Sequence, residues 1–223
     1  MDDEKAIRNF SLLLAAIAGF CDTLTFVTAN EFSAHVTGNF IVFAYDVIKG
    51  ADARSWMKLV TFPVFIAAVI TGGWGIGKTS GKYAILLLEG IVLAITGLIA
   101  LVLKLYHVSF VWLTYGITMP IVFAMGLQNA FGKLYSKETY GPTTMMTGNV
   151  TQAALDFWVM IKTKFSNGLI TESLKHQSLT IGGFLSGCLL GAIAGKIIGL
   201  SSVLLPGIAL IVYPKKIPHK YTG

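Results

Sequence analysis

Apolar runs long enough to cross a lipid bilayer dominate this chain, and they leave it few folds to adopt. A helix needs about 20 apolar residues to span the roughly 30 Å of hydrocarbon. Runs of this kind cover approximately 9–29, 59–77, 83–104, 108–130, 177–198 and 199–214, the last being short and interrupted by Pro206. Composition agrees: of 223 residues 54% are hydrophobic and 13% charged, and the mean hydropathy is +0.71. Soluble domains carry about 25% charged residues, so a water-soluble globule is excluded. Disordered and disulfide-stapled classes are excluded as well, with two Cys and no polar low-complexity tract. The expected fold is an all-α polytopic transmembrane helix bundle of six to eight membrane segments, a single integral membrane domain over 1–223.

Two shorter segments, 35–49 and 145–162, open on the same tripeptide: Thr37-Gly38-Asn39 and Thr147-Gly148-Asn149. At this offset of 110 residues Asp46 also aligns with Asp156. Gly19 to Asp22 pairs with Gly126 to Asn129 upstream, and Leu87 to Leu93 with Leu204 to Leu210 downstream. The common order predicts two sequence repeats, about 1–107 and 108–223. An odd number of crossings per repeat would invert the second copy.

Charge sets orientation, because cytoplasmic loops collect Lys and Arg. The excess of 17 basic over 11 acidic residues is scattered between apolar runs rather than gathered into a basic surface, so nucleic acid is not an expected partner. With both termini inside, twelve basic residues face the cytoplasm and five face outward. That split is the same whether the Thr-Gly-Asn segments cross or re-enter. The acidic start, Met1-Asp2-Asp3-Glu4, is unlike a signal peptide, and the chain is expected to be unprocessed. Cys21 and Cys188, without CxxC spacing, read as buried free thiols.

Gly72 to Thr79 matches the phosphate-loop pattern G-x-x-x-x-G-K-[ST], but a membrane-length run precedes it and no α/β domain carries it. Small residues at four-residue spacing, Gly73 and Gly77 in one half and Gly187, Gly191 and Gly195 in the other, read instead as stripes that let helices approach closely in lipid. Asn149-Val150-Thr151 fits a glycosylation sequon that its repeat partner lacks. The four His are isolated, so no metal site, cofactor or catalytic constellation is expected, and the chain is not expected to be an enzyme.

Acids inside apolar runs are costly, at about 2.5–3.5 kcal/mol near a helix centre on insertion scales. Asp22, Asp46, Glu89 and Asp156 are of this kind, with no Lys or Arg mid-span to neutralise them. On a helix Asn39 and Asp46 share one face, as do Asn149, Gln152 and Asp156. Asp22, Asn39, Asp46, Asn149, Gln152 and Asp156 are therefore the candidate substrate or ion pathway. For Asp46 and Asp156 the structural alternative is an interfacial ion pair with Lys49 and Lys162. The motif residues Thr37, Gly38, Thr147 and Gly148 fit either a helix start, with Thr capping, or a break in a discontinuous helix.

Gly19-Phe20-Cys21-Asp22, His35-Val36-Thr37-Gly38-Asn39 and Met145-Met146-Thr147-Gly148-Asn149 together resemble the YoaK-type bacterial multi-pass membrane proteins. Val36 stands where Met is usual. That family is one of unknown function, and the resemblance covers nearly the whole chain. It implies a bacterial plasma membrane location and supplies no substrate. The expected function is small-solute secondary transport or permeation, proton- or cation-coupled; a non-transporting scaffold, assembly factor or sensor is the alternative. Expected partners are membrane lipids and a small solute or cation, with homo-oligomerisation left open.

Overall fold

Each apolar run becomes a helix. The computed structural model describes residues 2–75, 83–108, 110–164 and 168–213, and the regular structure there is helical throughout. In chain order the elements are α1 (Asp2–Ala29), α2 (Gly38–Gly50), α3 (Met57–Gly75), α4 (Ala84–Leu105), α5 (Val111–Leu134), α6 (Met146–Lys162) and α7 (Gly168–Ile197). A 3-10 turn, Leu200–Val203, then leads into α8 (Leu204–Val212). Four helices are long and apolar enough to cross a membrane: Glu4–Ala29, Met57–Gly75, Ala84–Leu105 and Gly168–Ile197. The last apolar run breaks at Gly199, which has φ of +80°, and not at Pro206, which continues α8.

Side-chain contacts fix the direction of every helix. At one end of the bundle, the near end, Phe10 of α1 packs its ring on Tyr83 before α4, Phe131 late in α5, and Tyr213 after α8. At the far end, Asn30 after α1, Lys49 of α2, Lys58 of α3 and Tyr115 of α5 line one cavity. There too the Lys104 ammonium of α4 donates to the Ile198 carbonyl after α7. Thus α1, α4 and α7 run from near to far, and α3, α5 and α8 from far to near. The two short helices begin inside the bundle. α2 ends at the far end and α6 at the near end, and at about 20 and 25 Å both are shorter than the hydrocarbon core.

Glycine places the helices backbone to backbone. A Cβ on Gly187 would stand 2.0 Å from the Ala16 carbonyl oxygen, on Gly191 2.3 Å from that of Phe20, and on Gly19 2.2 Å from that of Phe184. α1 and α7 therefore lie side by side and parallel, with Gly195 a looser contact against Leu24. In the other pair, α3 and α5, Gly72 meets the Ala130 methyl and Gly126 that of Ala68. The packing glycine on α3 is Gly72 and not Gly73, beside which a Cβ would meet open space; Gly77 lies outside the described residues. Gly97 and Gly90 of α4 meet Leu204 and Leu210 of α8 in antiparallel order. Facing outward are Ile66, Ile70, Ile95, Ile99, Leu189 and Ile193, an apolar exterior that suits lipid rather than water.

Candidate functional site

The segment after α1 folds back into the bundle instead of leaving it. Asp22, seven residues and so about 10 Å before the end of α1, accepts the backbone N–H of Ala34 (2.7 Å) and His35 (3.3 Å) on one carboxylate oxygen. Its other oxygen meets His35 Nδ1 at 2.7 Å. Asn39 in the first turn of α2 closes the hairpin: its oxygen accepts the Phe32 N–H at 2.7 Å, and its amide nitrogen donates to the Phe32 carbonyl and to Thr61 of α3. Gly38 lies under the Phe32 ring, where a Cβ would stand 3.0 Å away. Thr37 caps nothing; its backbone is already helical and its side chain makes no cap bond.

The segment after α5 does the same from the opposite end. Gln128, six residues before the end of α5, donates to Thr143 and to the Leu14 carbonyl of α1. Asn149 donates to the carbonyl of Pro142 at 2.8 Å, seven residues back, as Asn39 does to Phe32. Gly141 has φ of +135° and leaves only 3.2 Å between a would-be Cβ and the Asn149 oxygen, so no other residue turns the chain there without strain. Thr147 lies inside α6, with its carbonyl accepting from Thr151, and is no cap either. Leu14 and Asp22 are eight residues apart on α1, which sets the two hairpin tips about 12 Å apart in depth.

The acids at the outer ends of the hairpins are partnered. Asp46 pairs with Lys58 of α3 at 2.8 Å, not with Lys49, whose ammonium lies over the Tyr45 ring. Asp156 accepts from Gln152 (2.7 Å) and Ser173 of α7 (2.5 Å), while Lys162 lies over Trp158. Asp46 thus takes its cation from the first turn of α3 and not from its own helix, while Asp156 is held by uncharged donors, one on its own helix and one on α7. Sequence spacing missed Lys58, Thr61, Gln128, Thr143 and Ser173, all supplied from other elements. In the repeat alignment Asn129 matches Asp22, yet it is Gln128 that holds the second loop.

Two carboxylates are buried without a hydrogen-bond partner among the described residues, Glu31 and Glu89. Glu31 follows Asn30, a wall of the far-end cavity of about 250 Å³ that Asp46, Asp52, Arg54, Lys58 and Tyr115 also line. Burial pushes its carboxyl up to about 7, with the Lys58 charge pulling the other way. The hydrogen bond to Asp22 raises His35, against the effect of its own burial. On the exposed rim, Arg54 bonds Asp52 and lowers it. At the near end Glu4, Glu172 and His176 come within 4.8 Å of one another, but Glu172 already pairs with Lys175 and the Tyr140 ring stacks on His176. Both cysteines are free, Cys21 buried and Cys188 partly so.

A family model for proteins of unknown function (DUF1275) matches residues 10–213. The chain belongs to that family. No curated protein and no solved structure matches it. Family membership and the apolar helical bundle together make this a membrane protein of the DUF1275 family.

Proposed function

We propose that this chain is a secondary transporter or permease for a small solute, proton- or cation-coupled, built from two inverted repeats. The observation that carries the reading is the pair of hairpins entering the bundle from opposite ends, each closed by an Asn seven residues after the carbonyl it binds. Three crossings and one re-entrant hairpin per half give an odd count, which inverts the second half. Irregular backbone at membrane depth is tolerated where protein buries it or a cavity is lined by it, the arrangement transporters use at their binding sites. In this reading Asp22, Asn39 and Asn149 hold the hairpins in place. Asp46 with Lys58, and Asp156 with Gln152 and Ser173, fasten the outer ends and release them as solute or cation passes. No catalytic step is involved.

In this reading the near end, with both termini, faces the cytoplasm at a bacterial plasma membrane, which is supported by the excess of basic residues assigned to that side. Single cysteines test this topology: Ala53→Cys should react with an impermeant thiol reagent from outside and Ser136→Cys only from inside, and the reverse pattern would refute six crossings. For transport, proteoliposomes holding a pH-reporting dye are exposed to a panel of sugars, amino acids and small organic acids. Solute-driven proton movement should appear in the wild type and fall in Asp46→Asn and Asp156→Asn; unchanged flux in both variants removes their coupling role. A scaffold reading is favoured by one fact, that both motif asparagines are hydrogen-bonded within the chain. Absence of flux for every solute in the panel would shift the balance to it.

A further inference from the structure

The acids that bind loops and helices are accounted for, and Glu89 is not. It is fully buried in α4, and neither carboxylate oxygen has a hydrogen-bond partner among the described residues. Tyr83, packed on Phe10 at the near end, precedes Glu89 by six residues. That places Glu89 about 9 Å further into the bundle, at a depth between the Leu14 and Asp22 levels where the two hairpin tips lie. An ionised carboxylate without donors is very unfavourable in such a place, whereas the neutral acid is tolerated.

One buried stripe of α4 joins it to the far end. Glu89, Leu93, Thr96 and Ala100 form one buried stripe along α4, at spacings that keep them on one face. Ala100 is also a wall of a far-end cleft of about 590 Å³, together with Lys104, His107, Thr114, Ile117 and Ser201. The buried hydroxyls of α4, α5 and the 3-10 turn include Thr96, Thr118, Ser201 and Ser202. Each donates its own proton to a backbone carbonyl of its own chain segment, which leaves oxygen lone pairs to accept from water. Toward the near end the way is closed by the rings of Phe10, Tyr83, Phe131 and Tyr213.

We propose that Glu89 is a proton-binding site, loaded and unloaded through the cleft between α4, α5 and the 3-10 turn. Loading converts the carboxylate to the neutral acid, and unloading returns the proton to water in the cleft. The groups around it fit a proton rather than a metal ion, because among the described residues no second buried, unpaired carboxylate lies on α1, α3, α5, the 3-10 turn or α8. α1 offers the buried Cys21 thiol, and Asp22 is already bound by the first hairpin. α5 carries no charged residue between Trp112 and Lys133, and its Tyr115 lies at the far end. The 3-10 turn and α8 carry none, with Tyr213 at the near end, and Lys58 of α3 pairs with Asp46 at the far end. This site rests on the transport reading only for the use made of the proton.

Infrared titration of the full chain in lipid bilayers reads the site without any solute. The wild type should show the carbonyl band of a protonated carboxylic acid that disappears on going to alkaline pH. In a Glu31→Gln background, which removes the other buried carboxyl that is neutral near pH 7, the band should be missing in Glu89→Gln and present but shifted in Glu89→Asp, which also guards against misfolding of the first variant. Dicyclohexylcarbodiimide, which reacts with protonated carboxyls in apolar surroundings, should label Glu89 at neutral pH and at least tenfold less at alkaline pH. A band unchanged by Glu89→Gln, or one that never titrates, overturns the proposal. Titration of Glu89 without solute-driven proton flux in proteoliposomes would sink the transport reading and leave this site standing; flux with a silent Glu89 would do the opposite.

Discussion

The two hairpins share a geometry and differ in charge. The first is held by an aspartate and a histidine at its tip and by the Asp46 and Lys58 ion pair at its outer end. The second uses Gln128 and Thr143 at its tip and surrounds Asp156 with the neutral donors Gln152 and Ser173. Backbone placement at membrane depth can thus be achieved with or without ionisable groups. Only the first hairpin places an ionisable pair at its tip, and only its outer acid faces a buried cation.

The largest difference should come from the outer acids. Asp46→Ala leaves the Lys58 ammonium buried and unpaired, a loss of about 3–5 kcal/mol. Asp156→Ala strands only neutral donors, at about 1–3 kcal/mol. Unfolding in detergent measures both, and equal losses would break the contrast. Next come the glycines at the helix pairs that join the halves. Gly187→Ala drives a methyl into the Ala16 backbone and should cost about 3 kcal/mol or somewhat more. Gly72→Ala meets only a methyl group and should cost about 1–2 kcal/mol, while Gly73→Ala gains up to about 1 kcal/mol of helix propensity. The motif asparagines follow: Asn39→Ala loses three bonds and Asn149→Ala one bond to backbone, so the first variant should melt lower than the second.

The smallest effect is a slope. Glu31, at about 7 when folded against about 4.3 when unfolded, binds more protons in the native state between those values. Stability therefore falls as pH rises through that window, by at most about 1.4 kcal/mol per pH unit. His35, also raised when folded, contributes stability below its unfolded value that is lost as pH climbs through the folded one. Melting curves across pH should show this decline, flattened in its acidic part by Glu31→Gln. A wild-type curve that rises over the same range would contradict the burial of Glu31.

The helices were legible because hydrophobic length is a local property, and six runs and two short segments were enough to locate α1 to α8. The hairpin turns were not, because their evidence is a set of long-range bonds. Nothing near Asp22 in sequence announces that the N–H of Ala34 reaches it. The shared Thr-Gly-Asn pointed to Asn39 and Asn149, whose bonds at seven residues are the element common to both halves. Its threonines, which suggest caps, make no capping bond. Lys58 was hidden by adjacency reasoning, which assigns Asp46 to the nearer Lys49. Gly73 was favoured over Gly72 by a spacing rule that cannot see which face of α3 meets α5.

The α1 and α7 contact has a consequence for synthesis. Gly19 meets the Phe184 backbone across 165 residues of chain, and Gly187 that of Ala16 across 171. At about 5–20 residues per second, α1 stands in the membrane for roughly ten to thirty seconds before its partner is made. Its carboxylate does not wait that long, since Ala34 and His35 arrive within thirteen residues of Asp22. The charge of α1 is covered almost as soon as it is translated, and its glycine face stays open to lipid until the chain is nearly complete. Truncated nascent chains ending before α7 should accordingly be sensitive to proteolysis and release, and the first half expressed alone should lack the partner its first helix was shaped to meet.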